Sequence, residues 1–471
     1  MGWQAVILGS DLLFFVLIAL SLLGAVWARR RPDLVRAWRR VAESDAAMAS
    51  MTVLAALLVV GVLDSLHYRA ALPGAPGQPV MYAAQVDSAL DALTRQLSGH
   101  TEKTYSAPFA AHLYAKETID LPDGRQMRAY PRLAWGGRHL PVPERDRPAD
   151  IARGLAAALA LAVTLSALLG LLLMRPWRHG ALARAWRHFW RAEDGVKWRA
   201  VWLAASALCI VFVPLLLLSG DYHVLGTDKV GQDILYQALK SVRTAWLIGT
   251  LTTLIMLPFA IFLGIYAGYR GGLADDIVQY LYTTLNSIPG VLLIAASVLM
   301  MQVLIDTHPE WFATAAERAD ARLLALCAIL GMTSWTGLCR LLRGEALKLR
   351  ELDYVQAARA FGVSRARILV RHILPNVMHI VLISIAMDFS GLVLSEAVLS
   401  YIGIGVDPSM QSFGTMINSA RMELSREPMV WWSLATAFVF LFVLVLAANL
   451  FADAVRDALD PRLASPIGGR A

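Results

Sequence analysis

The chain has 471 residues, of which 57% are hydrophobic and only 17% are charged, and its mean hydropathy is +0.53. A water-soluble chain of this length would usually carry more charge, so the composition excludes an ordinary soluble protein. The formal net charge of +7 comes from basic residues beside apolar runs, a pattern typical of membrane topology rather than of nucleic-acid binding.

Apolar runs long enough to cross a bilayer recur along the whole sequence. We therefore predict an all-α polytopic membrane protein with nine spans, at residues 5–27, 47–66, 152–174, 200–219, 243–268, 277–303, 323–340, 377–399 and 430–452. The fifth span is the least regular because Arg243 lies at its start.

The first span is expected to be a retained anchor rather than a cleaved signal. No positive charge precedes it, whereas Arg29, Arg30 and Arg31 follow it, which is the reverse of a secretory signal. Basic residues also cluster at 175–199 and 348–371, and all three clusters fall on one side if the N-terminus is outside and the C-terminus inside.

Residues 1–174 are interpreted as an N-terminal extension with three spans and an external segment at 67–150. Val86, Leu90, Leu93 and Leu97 follow helical spacing, and residues 117–130 around Pro122-Asp123-Gly124 indicate a β-hairpin. The external segment is therefore predicted to form a small α+β domain.

Residues 175–199 connect the extension to the remaining six spans. Four Trp and seven basic residues occur here, and Trp177, Leu182, Trp186, Phe189 and Trp190 fall on one broad helical face. This pattern predicts an interfacial helix that lies on the cytosolic leaflet.

The core at 200–471 shows no signal for catalysis. Gly226 and Gly231 have the spacing that opens a phosphate-binding loop, but Gln232 and Asp233 follow where Lys and Ser or Thr are required. Any ATP must therefore be bound by another subunit. The three Cys and ten His have no metal-binding or redox spacing, so no catalytic, cofactor or metal site is predicted.

Two acidic residues interrupt the eighth span. Asp388 lies near its middle and Glu396 lies eight residues later, so both are expected to project to nearly the same side. An Asp at mid-bilayer costs about 2.5–3.5 kcal/mol on insertion scales, so it must face protein or water. For Asp388, lining a path and bonding a neighbouring helix stay equally open, whereas for Glu396 we favour the structural role.

A polar, Arg-rich hairpin precedes the eighth span. Asp353 with Gln356 three residues later predicts a capping box and a helix start. Gly362 is expected to end that helix at C′, Ser364 can cap a second helix, and Pro375 is expected to close the segment. Such a short, rigid helix could pass force from a cytosolic partner into a helix bundle.

The hairpin, 353–376, resembles the EAA loop of ABC importer permeases through Gln356-Ala357-Ala358, Gly362 and Pro375. Gln356 stands where the family has Glu, so a carboxylate is not essential to the inferred docking role. Three further blocks, in the family's order between about 200 and 462, resemble the C-type permease subunit of dipeptide and oligopeptide importers: Leu225-Gly226-Thr227-Asp228 with Gly231 and Asp233, Ser287-Ile288-Pro289, and Glu396-Ala397 followed by Leu399 to Gly405.

The resemblance implies an importer-type six-helix permease core and a function as the permease subunit of an ATP-driven importer, with di- or oligopeptides as the expected solute. Coupling to the ATPase is assigned by resemblance to Asp353, Tyr354, Gln356, Ala357, Ala358, Gly362 and Pro375. A translocation-path or helix-contact role is expected for Pro289, Asp388 and Glu396, because Pro289 should kink the sixth span and free backbone groups to face a cavity.

The partners implied are a homologous second permease subunit, two ATP-binding subunits that carry Mg-ATP, an external solute-binding protein and the lipid bilayer, with no nucleic acid. The expected location is the bacterial inner membrane. The extension is expected to be an accessory module, and its external segment could be a spacer or brace on the membrane complex or a docking surface for the solute-binding protein.

Two other classes stay open at this point. A proton-coupled secondary transporter would use Asp388 and Glu396 as a relay, but the long hairpin and the lack of an internal inverted repeat disfavour it. A membrane scaffold without transport activity would leave the polar intramembrane residues without a purpose. Co-purification with an ATPase subunit would separate an ABC permease from both.

Overall fold

The computed structural model describes residues 2–72, 81–120, 126–174, 182–192 and 195–459. Within these ranges, nine helices are long and apolar enough to cross a membrane, which confirms the predicted fold class. The chain forms two compact units: unit 1 is Met1–Ile7, Arg39–Ala245 and Gln411–Leu450, and unit 2 is Leu8–Trp38, Trp246–Met410 and Phe451–Ala471. Each unit combines residues of the predicted extension and the predicted core, whose boundaries stay a prediction.

The described residues form the strands β1 Trp3–Val6, β2 His67–Ala70, β3 Asp87–Ser88, β4 Glu117–Asp120 and β5 Gln126–Ala129. The first eight helices are α1 Gly9–Ala28, α2 Pro32–Ala42, α3 Asp45–Ser65, α4 Ala89–Leu93, α5 Arg95–Gly99, α6 Pro143–Leu173, α7 Leu182–Arg191 and α8 Trp198–Leu218. The others are α9 Ile234–Arg270, α10 Leu273–Ser287, α11 Gly290–Thr307, α12 Ala315–Ser334, α13 Thr336–Arg350, α14 Asp353–Ala360, α15 Arg365–Ile368, α16 Leu374–Tyr401, α17 Phe413–Glu423 and α18 Trp432–Leu459.

The first span begins later than the sequence predicts because the residues before it form a strand. In unit 1, β1 pairs antiparallel with β2, with Trp3 opposite Ala70 and Val6 opposite His67. β2 also pairs with β3, which gives the sheet order β1-β2-β3. The start of the predicted span therefore belongs to this small sheet, and α1 begins only at Gly9.

The described residues between β2 and α6, 81–120 and 126–142, form what we call the insert domain. Its strands β4 and β5 pair as the antiparallel hairpin predicted near residues 117–130. Of the apolar residues at helical spacing, Leu90, Leu93 and Leu97 lie in two short helices, α4 and α5, rather than one, and Val86 precedes both. The hydroxyl of Thr94, between them, donates to the Leu90 carbonyl at 2.7 Å. Leu90 and Leu97 are buried but Leu93 is exposed, so the expected apolar stripe is only partly used.

In unit 1, helix α8 packs closely against α6. A Cβ at Gly170 of α6 would lie 2.9 Å from the indole nitrogen of Trp202 in α8. The same indole N–H donates to the Ser166 carbonyl at 2.8 Å, and the hydroxyls of Ser166 and Ser206 are hydrogen-bonded. Small and hydroxyl side chains are typical of tight helix contacts in membranes, so the third predicted span is joined directly to the fourth.

The predicted interfacial helix is described as α7. Phe189 is buried and its ring packs edge-on against Trp202 of α8, with centroids 6.4 Å apart, whereas Trp186 is exposed. Trp198 is the first residue of α8, and Trp177 lies outside the described residues. An exposed Trp beside basic residues on a short helix is the arrangement expected at a membrane interface.

Arg243, which made the fifth span irregular, lies inside the 37-residue helix α9. The side chain is buried in unit 1, and its Nε donates to the hydroxyl of Ser65 at the end of α3, at 3.1 Å. The helix therefore continues through the charge because α3 supplies polar groups beside it.

Unit 2 has a buried apolar core to which α9, α13 and α16 contribute. Gly264 and Gly268 allow α9 to approach α13: added Cβ atoms would lie 2.7 Å from the Cys339 carbonyl oxygen and 2.5 Å from that of Arg343. Cys339 is itself fully buried in this core. Elsewhere in unit 2, α1 packs on α12, where the Ser10 amide donates to Asp320 at 3.1 Å.

Candidate coupling surface

The predicted hairpin is present in unit 2 as α14, a tight turn and α15. Three apolar side chains anchor it: Val355 of α14, Ile368 of α15 and Ile373 in the π-helical turn that follows are all fully buried in the core of unit 2. Most other side chains of the segment are exposed. The hairpin is therefore fixed by one face and open on the other.

The predicted capping box at the start of α14 is wrong, although the helix begins where expected. Leu352 occupies the N-cap without a side-chain cap, and Asp353 is the first helical residue. The side-chain amide of Gln356 instead donates to the backbone carbonyl of Arg350 at 3.2 Å. That carbonyl lies at the end of α13 and lacks a helical partner, so it competes for the Gln356 side chain. Asp353 still lies in the first turn, where the helix dipole favours a carboxylate.

Gly362 ends α14 as predicted. Its φ is +74°, and two backbone hydrogen bonds close the turn. The Gly362 amide donates to the Arg359 carbonyl and the Val363 amide to the Ala358 carbonyl, both at 3.1 Å. These are the two bonds of a Schellman motif, and Ala358 and Val363 both pack on the core of unit 2, as that motif favours. The left-handed conformation at Gly362 therefore sets the direction in which the chain leaves the helix.

The expectation that Pro375 closes the segment is wrong. Pro375 lies in the first turn of α16, and the chain is helical from Arg365 to Tyr401 through a π-helical turn at Leu369–Ile373. Pro removes a backbone donor, and the π-helical turn just before Pro375 is the irregularity at which the continuous helix accommodates it. Ser364 is the N-cap residue of α15, but its side chain makes no cap hydrogen bond. The hairpin thus passes directly into the eighth span.

The open face of the hairpin carries large apolar side chains. Phe361 is 87% exposed, and Leu352 and Tyr354 are each more than 40% exposed. The hydroxyl of Tyr354 accepts a hydrogen bond from Asn376 at 3.0 Å, which holds the ring in place. Ala357 is exposed beside them. An apolar face of this kind, rimmed by exposed Arg365 and Arg367, is typical of a protein interface.

The sequence interpretation missed Phe361 and Val355. Phe361 is the most exposed large apolar side chain of the described residues, and Val355 is the anchor of α14. The available signal was a large aromatic residue directly before a helix-ending Gly in a polar segment. For Val355, the spacing to Ile368 and Ile373 has no period that a sequence could reveal.

The two acidic residues of α16 lie in different surroundings, while their projection to nearly the same side stays a prediction. Glu396 is 2% exposed and accepts a hydrogen bond from the Ser400 hydroxyl, one turn later, at 2.5 Å. Asp388 is half-buried and has neither a hydrogen bond nor an ion pair with any described residue. The contacts of Glu396 are those of a structural residue, while the role of each carboxylate stays a prediction.

The helix break expected at Ser287-Ile288-Pro289 is present. α10 ends at Ser287, Ile288 is extended with ψ of 133°, and α11 begins at Gly290 after Pro289. Beside the break, the Thr336 hydroxyl donates to the side chain of Asn286 at 3.0 Å. Whether Pro289 lines a path stays a prediction. Among the described residues, no three His, Cys, Asp or Glu side chains are grouped so that they could hold a metal ion.

Comparison with known proteins places this architecture among bacterial permeases. Residues 260–465 match the family model described as "Binding-protein-dependent transport system inner membrane component". The chain is 34% identical over 250 residues to the oligopeptide transport system permease protein OppC of Mycobacterium bovis. That alignment covers 53% of this chain and 79% of the relative. It is 30% identical over 324 residues to the glutathione transport system permease protein GsiD of Pectobacterium atrosepticum, covering 62% of this chain and all of that relative. It is also 31% identical to the dipeptide transport system permease protein DppC of Lactococcus lactis, over 51% of this chain and 64% of DppC.

Proposed function

The chain belongs to the family of binding-protein-dependent inner-membrane transport components and is the permease subunit of an ABC importer, and from this premise we propose that it carries di- or oligopeptides. The protein is a multi-pass inner-membrane protein, works with other ABC subunits and is a transport component rather than an enzyme. Its named relatives transport oligopeptides, dipeptides and glutathione. Their shared chemical feature is a short peptide backbone, which supports the proposed solute class.

The open face of the coupling hairpin carries the proposal for the partners. Phe361, Tyr354 and Leu352 expose apolar surface on a segment that buried Val355 holds rigid. We assign this face to the groove of an ATPase subunit, two of which bind Mg-ATP for the complex. A second, homologous permease subunit completes the translocation path, and an external solute-binding protein delivers the peptide.

The proposed orientation follows from the same assignment. An ATPase lies in the cytosol, so the hairpin lies inside, and the basic residues of α2 and α7 fall on that side as well. The C-terminus is then inside and the N-terminus outside. The secondary-transporter alternative has no support, because the family uses ATP-binding subunits and Glu396 is engaged by Ser400.

Phe361→Ala tests the coupling surface. Because the side chain is exposed, the fold should be unchanged, whereas a central aromatic anchor of an interface contributes about 2 kcal/mol or more, which corresponds to roughly 30-fold weaker association. Affinity for the cognate ATPase subunits would be measured with the purified permease in nanodiscs, alongside uptake of radiolabelled di- and tripeptides into proteoliposomes.

Met422→Ala is the matched control, since Met422 is also large, apolar and exposed but lies on α17. Equal ATPase affinity in the two variants would refute the docking face. Tight ATPase binding together with a failure to take up any peptide would instead refute the solute class and leave the coupling surface intact.

A further inference from the structure

The loop between α8 and α9, residues 219–233, is covered in unit 1 by the insert domain. We call it the motif loop because it contains the Leu-Gly-Thr-Asp block. Thr227 is fully buried, and its hydroxyl accepts from the Ser106 amide at 2.7 Å while its amide donates to the Ser106 carbonyl at 3.1 Å. The Glu102 amide donates to the Gly231 carbonyl at 2.9 Å, and the Phe109 amide to the His223 carbonyl at 3.0 Å. The loop is thus paired by its backbone with residues 102–109 of the insert domain, and also with Gly137, whose amide donates to the Asp221 carbonyl at 2.8 Å.

Two glycines of the motif loop make this close approach possible. Gly226 and Gly231 have φ values of +77° and +75°, which favour glycine. A Cβ at Gly226 would lie 2.6 Å from the Ser106 carbonyl oxygen, and a Cβ at Gly231 would overlap the carbonyl oxygen of Glu102. The glycines therefore serve contact with the insert domain as well as the turn itself.

A buried charged cluster joins the same two segments. His223 contacts Asp233 through Nδ1 at 2.9 Å and faces Glu102 through Nε2 at 3.5 Å. Glu102 also accepts from the backbone amides of Ala134 and Trp135, at 2.9 and 2.8 Å. Burial alone would lower the pKa of His223, but the two carboxylates outweigh it and raise that pKa to about 9.

Each carboxylate of this cluster has further support. Burial raises the pKa of Glu102, but the nearby His223 and the hydrogen bonds from the backbone amides exceed that effect, so the pKa lies below its usual value. Asp233 accepts from the Leu235 amide at 2.8 Å and so caps α9. His100 also interacts electrostatically with His223, and its ring stacks on Trp135 with centroids 4.2 Å apart.

A second cluster joins the extension to α9. The ammonium of Lys240 lies 3.2 Å from Asp64 at the end of α3 and 2.9 Å from Asp91 of α4. Asp91 also accepts from the Tyr236 hydroxyl at 2.7 Å, and Asp64 from the Ser88 hydroxyl at 2.7 Å. Removing the extension would therefore leave Lys240 without both of its carboxylates in a largely buried position, which is strongly unfavourable.

We propose that the insert domain is a built-in clamp of the permease, with Glu102 and Asp91 as positioning residues that hold the motif loop and the start of α9 for transport. This role goes beyond the assignment as an importer permease and does not depend on the solute. It differs from the expectation that the extension is an accessory module, and it favours a brace over a docking surface. The reason is that Glu102 and Asp91 face His223 and Lys240 of the same chain rather than solvent.

Glu102→Gln in the full-length permease with its ATPase subunits tests the clamp, because the amide keeps the shape and removes the charge beside His223. Hydrogen exchange of residues 223–233 in nanodiscs should be at least tenfold faster than in the unaltered protein, and uptake should fall several-fold. Glu117→Gln is the matched control in the same domain. Glu117 pairs only at the surface, with Lys103, and its loss should change neither measurement.

The pH dependence gives a second readout that simple destabilisation would not move. His223 has a raised pKa in the folded state, so its contribution is complete below its ordinary pKa and is lost as pH rises through about 9. Without the charge of Glu102, the loss of protection, measured as protection factors, should begin at a lower pH. Identical protection in Glu102→Gln and the unaltered protein from pH 6 to 10 would overturn the proposal. Normal uptake with a demonstrably unprotected loop would overturn it as well.

Discussion

The motif loop and the coupling hairpin both turn on a glycine with nearly the same backbone angle, yet the two glycines have opposite surroundings. The φ of Gly231 is +75° and that of Gly362 is +74°. A Cβ at Gly231 would overlap the Glu102 carbonyl, whereas a Cβ at Gly362 would meet no atom within 4 Å. The space beside Gly231 is therefore occupied by another part of the same chain, whereas the space beside Gly362 is open.

The difference shows how one local conformation can serve two purposes. In the motif loop, the Thr227 hydroxyl, Nδ1 of His223 and the Asp233 carboxylate are engaged within unit 1. In the hairpin, Phe361 and Ala357 face outward. A satisfied, buried turn stabilises a fold, whereas a rigid, exposed turn offers a surface to another molecule.

Gly231→Ala should have the largest effect on this comparison. The left-handed conformation alone costs an Ala about 1–2 kcal/mol, and the overlap with Glu102 must be relieved by moving the backbone. We expect a much larger fall in thermal stability than for Gly362→Ala, in which only the conformational cost applies. Thermal unfolding of both variants in detergent measures this, and equal shifts would show that the clamp contact is loose.

Gly362→Val should have an intermediate effect, confined to coupling. A β-branched residue disfavours the left-handed angle by about 1–2 kcal/mol or more, so α14 would end differently and displace Phe361. The protein should reach the membrane in normal amount while uptake and ATPase stimulation fall several-fold. Val at Gly272, which also has positive φ and no neighbour within 4 Å, is the control for strain without the hairpin. Undiminished transport in Gly362→Val would contradict the role of this turn.

Tyr354→Phe should have the smallest effect. It removes the hydrogen bond from Asn376 and leaves the ring, so the loss is about 0.5–1.5 kcal/mol at an exposed position. We expect ATPase affinity to fall by less than tenfold, which titration of the permease with labelled ATPase would detect. A larger loss than in Phe361→Ala would show that the hydroxyl itself contacts the ATPase and would move the centre of the coupling surface to Tyr354.

Local features of this molecule could be predicted from the sequence, and long-range ones could not. The apolar runs and the helix end at Gly362 depend on neighbouring residues only. The contact between Ser106 and Thr227 joins positions 121 residues apart, and neither residue carries a local signal for it. The capping box failed because the Arg350 carbonyl competed for Gln356, and the different burial of Asp388 and Glu396 depends on packing that the sequence does not show.

The uninterrupted helical run from Arg365 to Tyr401 has a mechanical consequence. At 37 residues it is a rod of about 55 Å, on a rise of about 1.5 Å per residue. The fully buried Ile368 and Ile373 fix this rod in the core of unit 2, close to its hairpin end. A tilt of the rod about these two residues would therefore move Glu396, which lies much farther from them than Arg365 does, by the larger distance.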